Sequence, residues 1–147
     1  MNKLIWLTGQ PGSGKTTLAK DLLKYFEKND KKVINIDGDD LRGFTSNKDY
    51  SRKGRESNIK LAQNIAFFLQ QKGFIVIVSL VAPYLDLRED FKNRTEILEI
   101  YLYTSEVRGR ENFFSKDYEK PIDNYLSIDT TNKEVKECVD EILNVYR

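Results

Sequence analysis

Residues 4–17 read Leu4-Ile5-Trp6-Leu7-Thr8-Gly9-Gln10-Pro11-Gly12-Ser13-Gly14-Lys15-Thr16-Thr17. An apolar run breaks into a glycine-rich turn that ends in Lys-Thr and opens a helical pattern. The spacing from Gly9 to Thr16 is G-x-x-x-x-G-K-[ST], in the strand–turn–helix context that gives it chemical meaning. Gly9, Gly12 and Gly14 carry no side chain, so the backbone can curl closely around an anion and take positive φ. The N–H groups of the turn and the first helical turn, with the helix dipole behind them, form an anion cradle. Gln10, Pro11 and Ser13 complete that cradle. Lys15 offers a full charge to β- and γ-phosphates, Thr16 a hydroxyl to Mg²⁺, and Thr17 continues into the helix. The reading is a nucleoside triphosphate site, with ATP and Mg²⁺ as the expected ligands.

Working outward, strand-like and helix-like stretches alternate to the end of the chain. Residues 3–8 read as a strand, and 15–28 as a helix with Leu18, Leu22, Tyr25 and Phe26 on one side. Val33 to Ile36 is a second strand, followed by a polar stretch to about residue 53. Residues 54–72 are helical, with Ile59, Ala62, Ile65, Ala66 and Leu69 at helical spacing and Gly73 as the stop. Phe74 to Val78 is a continuous apolar, β-branched run of the kind covered on both faces of a sheet. A short helix is expected over 85–93, strands over 97–103 and 125–128, and a last helix over 132–146 with Thr131 or Asn132 as its N-cap. Such alternation implies an α/β fold of three layers, a five-stranded parallel sheet flanked by helices. With the phosphate loop after the first strand this is a P-loop NTPase fold, expected as one domain over 1–147. In open sheets of this kind ligands bind outside the carboxyl ends of the strands. The stretches 38–53 and 104–121 leave from such ends and are the expected walls and lid of a second pocket.

The bulk properties narrow the classes. The 147 residues carry 24 Lys and Arg against 23 Asp and Glu, a formal charge of +1, so no basic field for nucleic acid or membrane exists. The single cysteine, Cys138, sits on an apolar helix face with Val135, Val139 and Ile142 and reads as a core thiol. The first strand begins almost at once, no apolar run approaches a membrane span, and a cytoplasmic location is the expectation. There is no histidine, so a general base must come from a carboxylate, a lysine, a tyrosine or the cysteine.

The second strand ends in Asp37-Gly38-Asp39-Asp40-Leu41-Arg42, which places two carboxylates at the sheet edge with only glycine between them. Beside a phosphate loop, such an acid can take a proton from an acceptor hydroxyl or hold the shell of Mg²⁺. Arg42 follows at a distance suited to an anionic substrate. Arg55 and Asn58 are three apart at the start of a helix and share a face. Tyr50 lies just upstream, where it can stack on a base or cover core. Ser79-Leu80-Val81-Ala82-Pro83-Tyr84 leaves the sheet after the third strand, stiffened by Pro83, and Arg88 follows.

Together these stretches resemble the adenylylsulfate kinase family. Its members carry G-x-P-G-x-G-K-T-T, then D-G-D-N-x-R, then a helix opening with Arg and, three residues on, Asn, then S-F-I-S-P-Y and Y-E-x-P. The matching stretches here are Gly9–Thr17, Asp37–Arg42, Arg55–Ile59, Ser79–Tyr84 and Tyr118–Pro121, in order and across nearly the whole chain. The resemblance implies transfer of the ATP γ-phosphate to the 3′-hydroxyl of a small nucleotide acceptor, adenylyl sulfate by default. It implies Asp37 as base, Asp39 on the metal or substrate, and Arg42, Arg55 and Asn58 on the acceptor's anionic bridge and sugar. Tyr50 and Phe114 fall near positions that stack on the acceptor base, and Ser79 and Pro83 line the same pocket. It is compatible with a homodimer.

Three departures stand out. Asp40 replaces Asn, and Leu80-Val81-Ala82 replaces Phe-Ile-Ser. The lid after the fourth strand is much shorter, with Arg108 and Arg110 as its basic residues; they either cover ATP or cap a surface loop. These changes touch the acceptor half, and a cytidine diphosphoramidate kinase relative is the alternative, since a pyrimidine needs less cover than adenine. A GTP-dependent switch is weaker. Asp40 to Gly43 matches D-x-x-G by letter, but Asn132-Lys133 continues as Glu134-Val135, without the guanine-reading aspartate. A polynucleotide kinase is disfavoured by the near-neutral charge.

Overall fold

The computed structural model describes residues 2–147. Five strands, β1 (Leu4–Thr8), β2 (Val33–Asp37), β3 (Ile75–Ser79), β4 (Ile97–Tyr103) and β5 (Tyr125–Asp129), form one parallel sheet in the order β2-β3-β1-β4-β5. Five helices, α1 (Lys15–Lys28), α2 (Gly38–Thr45), α3 (Arg52–Gln71), α4 (Leu85–Arg94) and α5 (Val135–Tyr146), complete the chain, with a 3₁₀ turn at Glu111–Phe113. The expected α/β sandwich is therefore what forms.

The alternation along β1 explains the layering. Ile5 and Leu7 face a cluster with Leu18, Leu22 and Phe26 of α1 and Cys138 and Ile142 of α5. Leu4 and Trp6 face the opposite cluster, with Ile59, Ala62 and Ala66 of α3 and Phe91 of α4. Every residue of β1 and β3 is buried, which is why both read as unbroken apolar runs. Cys138 lies in the core as expected, and burial raises its thiol pKa.

Two local expectations change. The polar stretch after β2 contains a helix, α2, which begins directly at Gly38. Its signal was hidden because Leu41 is its one buried large side chain, and its cap is a strand residue: Asp37 Oδ1 accepts from the N–H groups of Asp39 at 2.9 Å and Asp40 at 3.3 Å. The last helix begins at Val135 with Glu134 at the cap rather than Thr131 or Asn132. The Thr131 hydroxyl is taken by the Ser105 N–H at 2.9 Å, and Asn132 has φ 54°, a turn conformation. Among the described residues, no helix is long and apolar enough to cross a membrane.

Candidate active site

The carboxyl ends of β1, β2 and β3 open into one groove of about 960 Å³. Its lining brings together Pro11, Gly12, Gly14, Lys15, Thr16 and Thr17 of the phosphate loop, Asp37 and Asp39 after β2, Arg42, Tyr50, Arg55, Asn58, Ser79 and Pro83, and Arg108, Arg110 and Phe114 of the lid. Gly9, Gln10 and Ser13 are behind the lining rather than in it. All but these three of the expected site residues therefore share a single cavity.

The phosphate loop is shaped by its own neighbours. Gly9 has φ 148°, and a Cβ there would lie 2.3 Å from the Leu102 carbonyl oxygen of β4. Its glycine thus permits close approach to the sheet. Lys15 is 9% exposed and folds back onto the loop, donating to the carbonyls of Gly9 at 2.9 Å and Gln10 at 3.0 Å. Burial, reinforced by Arg110, lowers its pKa from 10.5 to about 8, against the pull of Asp37 and Asp39. Among the described residues this ammonium forms no ion pair at contact distance. The loop is a receptor for an anion.

Asp37 reaches the groove because the sheet order puts β3 between β1 and β2. Ser79 of β3 pairs in register with both Leu7 and Asp37. The acid is thus two strands from the phosphate loop rather than on the adjoining one, with Ser79 on the strand between. Gly38 next to it leaves room for Leu80, since a Cβ there would meet Leu80 Cδ1 at 2.2 Å and push that side chain aside. One Asp37 oxygen caps α2, which aims the carboxylate without using its second oxygen.

Arg42 braces the turn that joins α2 to α3. Its guanidinium donates to the carbonyls of Asn47 and Asp49, both at 3.1 Å, and stacks 4.1 Å over the Tyr50 ring. Arg55 donates to Ser115 Oγ at 3.1 Å and pairs with Asp117 at 3.5 Å, tying α3 to the lid. Asn58 is 3% exposed, and its Oδ1 has no hydrogen-bond partner among the described residues. A buried amide oxygen at a groove wall without a partner is a place for a ligand hydroxyl.

The two lid arginines, both in the groove lining, have different surroundings. Arg108 binds protein: Gly12 O at 3.0 Å, Thr130 O at 3.0 Å and Glu106 Oε2 at 2.9 Å. It fastens the lid to the phosphate loop while still lining the groove. Arg110 lies over Phe113 at 5.3 Å and acts on Lys15 electrostatically, so its charge faces the phosphate end. The Gln10 side chain ties the phosphate loop to the lid. Its amide donates to Ser115 O at 2.8 Å and accepts from Ser115 N at 2.9 Å, a two-point clasp on the lid. No spacing rule reveals a pair 105 residues apart. The Thr8–Tyr118 contact, 2.8 Å between hydroxyls, was missed for the same reason; burial raises the Tyr118 pKa to about 12.

A hard cation suits the groove. The Thr16 hydroxyl and the Asp37 and Asp39 carboxylates are oxygen donors, and both acids act electrostatically on Lys15 across the phosphate end.

The sequence model of the family described as adenylylsulphate kinase matches residues 1–136. A cytidine diphosphoramidate kinase of Campylobacter jejuni is 33% identical over 131 aligned residues, 86% of this chain and 77% of that protein. An adenylyl-sulfate kinase of Prochlorococcus marinus is 31% identical over 163 aligned residues, 96% of this chain and 81% of its own length. The Mycobacterium tuberculosis APS kinase in complex with AMPPNP and APS superposes with a TM-score of 0.86 at 20% identity, covering 98% of this chain and 96% of that one. That likeness establishes the fold.

Proposed function

Because the chain belongs to the adenylylsulphate kinase family, a family of nucleotide-phosphorylating kinases, we propose that it moves the γ-phosphate of ATP to the ribose 3′-hydroxyl of a small activated nucleotide, with adenylyl sulfate as the acceptor. The observation that carries this reading is the single groove, whose lining combines a phosphate loop, two carboxylates, two arginines and a buried amide oxygen with no partner among the described residues.

In this reading Lys15 and the loop amides hold the β- and γ-phosphates. Thr16 and Asp39 would hold Mg²⁺, which when bound would supply charge neutralisation at the phosphates. The free oxygen of Asp37 takes the proton of the acceptor hydroxyl as the hydroxyl oxygen attacks the γ-phosphorus in line; the bond from phosphorus to the β,γ-bridging oxygen breaks and ADP leaves. Arg42 and Arg55 receive the acceptor's anionic bridge, Asn58 its sugar, and Tyr50 and Phe114 its base. Ser79 and Pro83 line the wall beside them, and Arg110 adds charge over the phosphates.

A second reading has its own support. The short lid and the 33% identity to the Campylobacter enzyme favour cytidine diphosphoramidate as acceptor. One assay separates the two. ADP release is followed with ATP plus adenylyl sulfate, plus cytidine diphosphoramidate, and with neither, and the new phosphate is located by ³¹P NMR. The expected result is release stimulated by one acceptor with phosphate on its 3′-oxygen. No stimulation by either acceptor overturns both readings.

A further inference from the structure

Among the described residues, Arg88 and Glu99 are the most deeply buried charges that the proposed chemistry leaves unused, at 3% and 2% exposure. Arg88 is on α4 and Glu99 on β4, neither in the groove lining. Glu99 also accepts from Lys92 at 2.8 Å, so the carboxylate faces two cations. A buried pair that did nothing beyond neutralising itself would be replaceable by apolar side chains at no cost in stability. This one is spent on backbone. Arg88 Nε pairs with Glu99 at 3.0 Å, while Nη1 donates to the Ala82 carbonyl and Nη2 to the Glu119 carbonyl. Its face lies 5.3 Å from the Tyr118 ring.

We infer that Arg88 is a positioning residue for the acceptor half of the groove, joining the loop after β3 to the return of the lid. Four contacts surround that junction. Ala82 has φ 45°, a left-handed conformation that costs a non-glycine residue free energy and persists only when its surroundings hold it. The adjoining Pro83, a wall of the groove, accepts from the Glu119 N–H at 2.8 Å. Glu119 Oε1 accepts from the N–H of Leu85 at 3.2 Å. Tyr118 then reaches Thr8, whose hydroxyl donates to Val81 at 2.6 Å. The planar fork of arginine meets three acceptors in three directions, a geometry that a lysine ammonium at the end of one stem does not reproduce. Of the acids near Arg88 on α4, Asp86 accepts from the Leu87 N–H and Glu89 from Lys92.

The inference rests on the reading that the acceptor lies against Ala82 and Pro83, and two measurements keep the two apart. Arg88→Lys keeps the charge opposite Glu99; Arg88→Met with Glu99→Gln removes both charges at similar volume, should the lysine variant fail to fold. Steady-state kinetics are run with whichever of adenylyl sulfate and cytidine diphosphoramidate supports turnover. The acceptor KM is expected to rise about tenfold with the ATP KM within about twofold, since hydrogen bonds from a charged donor are lost on the acceptor side alone. Equal movement of both constants, or of neither, overturns the inference while leaving the kinase reading intact. Hydrogen exchange reads the same residue with no acceptor present. The Glu119 amide is expected to exchange about tenfold faster in the variant, with the Leu18 amide of α1 unchanged. Unchanged exchange at Glu119 overturns the inference even if neither acceptor is phosphorylated.

Discussion

In the proposed reading, Lys15 makes triphosphate binding depend on pH between about 7 and 9. In the empty loop it is buried, neighbours Arg110, and has a pKa of about 8. Phosphates beside it restore the charged form, so binding takes up a proton wherever the empty protein has lost one. At pH 7 the ammonium is about nine-tenths charged and the cost is negligible; at pH 9 the neutral form leads by about ten to one. Recharging it then costs about 1.4 kcal/mol, so the Kd for a non-hydrolysable ATP analogue should rise about tenfold from pH 7 to pH 9. Proton uptake per ligand should approach about one at pH 9. Titration calorimetry in two buffers of different ionisation enthalpy measures both, with Lys15→Arg as the comparison, because the ligand's own titration is common to the two proteins and cancels. The same shift acts on stability. The folded pKa lies below the unfolded 10.5, so the burial penalty is fully present below pH 8 and is relieved as pH rises towards 10.5, where the folded chain has shed a proton that the unfolded chain keeps. A Kd that is flat from pH 7 to pH 9, with no more proton uptake than the arginine variant, would refute the burial argument.

Two further outcomes follow from the geometry. Asp37→Asn keeps the cap of α2, since an asparagine oxygen still accepts from Asp39 and Asp40; thermal melting and ATP affinity should be unchanged while acceptor-stimulated ADP release drops at least about 100-fold, and near-normal turnover would remove Asp37 as the base. Gly9→Ala drives a Cβ to 2.3 Å from the Leu102 carbonyl at φ 148° and should cost about 2–4 kcal/mol in urea unfolding; an unchanged midpoint would show that the loop relaxes at no cost.

The strands and the phosphate loop were legible because their information is local. Leu4–Thr8 and Ile75–Ser79 are buried on both sides and say so in unbroken apolar runs. The Gly9–Thr16 spacing encodes a loop whose ligand is the backbone's own N–H array, so residue types and distances along the chain suffice. The acidic and basic residues that follow β2 also lay in order, and the groove collects them. What could not be read were the elements whose meaning lies in a partner. The helix α2 is capped from the strand before it and buries a single leucine among its large side chains, too little for a period to show.

The same division separates the two halves of the site. By itself the sequence determined that a strand feeds an anion cradle, that helices sandwich a parallel sheet, and that carboxylates and arginines stand ready near it, because periodicity and motif spacing are properties of neighbours. Only the tertiary structure decided that Gln10 clasps Ser115, that Arg108 holds the loop while Arg110 faces the phosphate end, and that Arg88 spends its fork on Ala82, Glu119 and Glu99. Those assignments are choices among acceptors brought together by the fold. A guanidinium or amide looks the same in the sequence whichever carbonyl it meets, and burial, which makes the choice matter, exists only once the chain has closed around it.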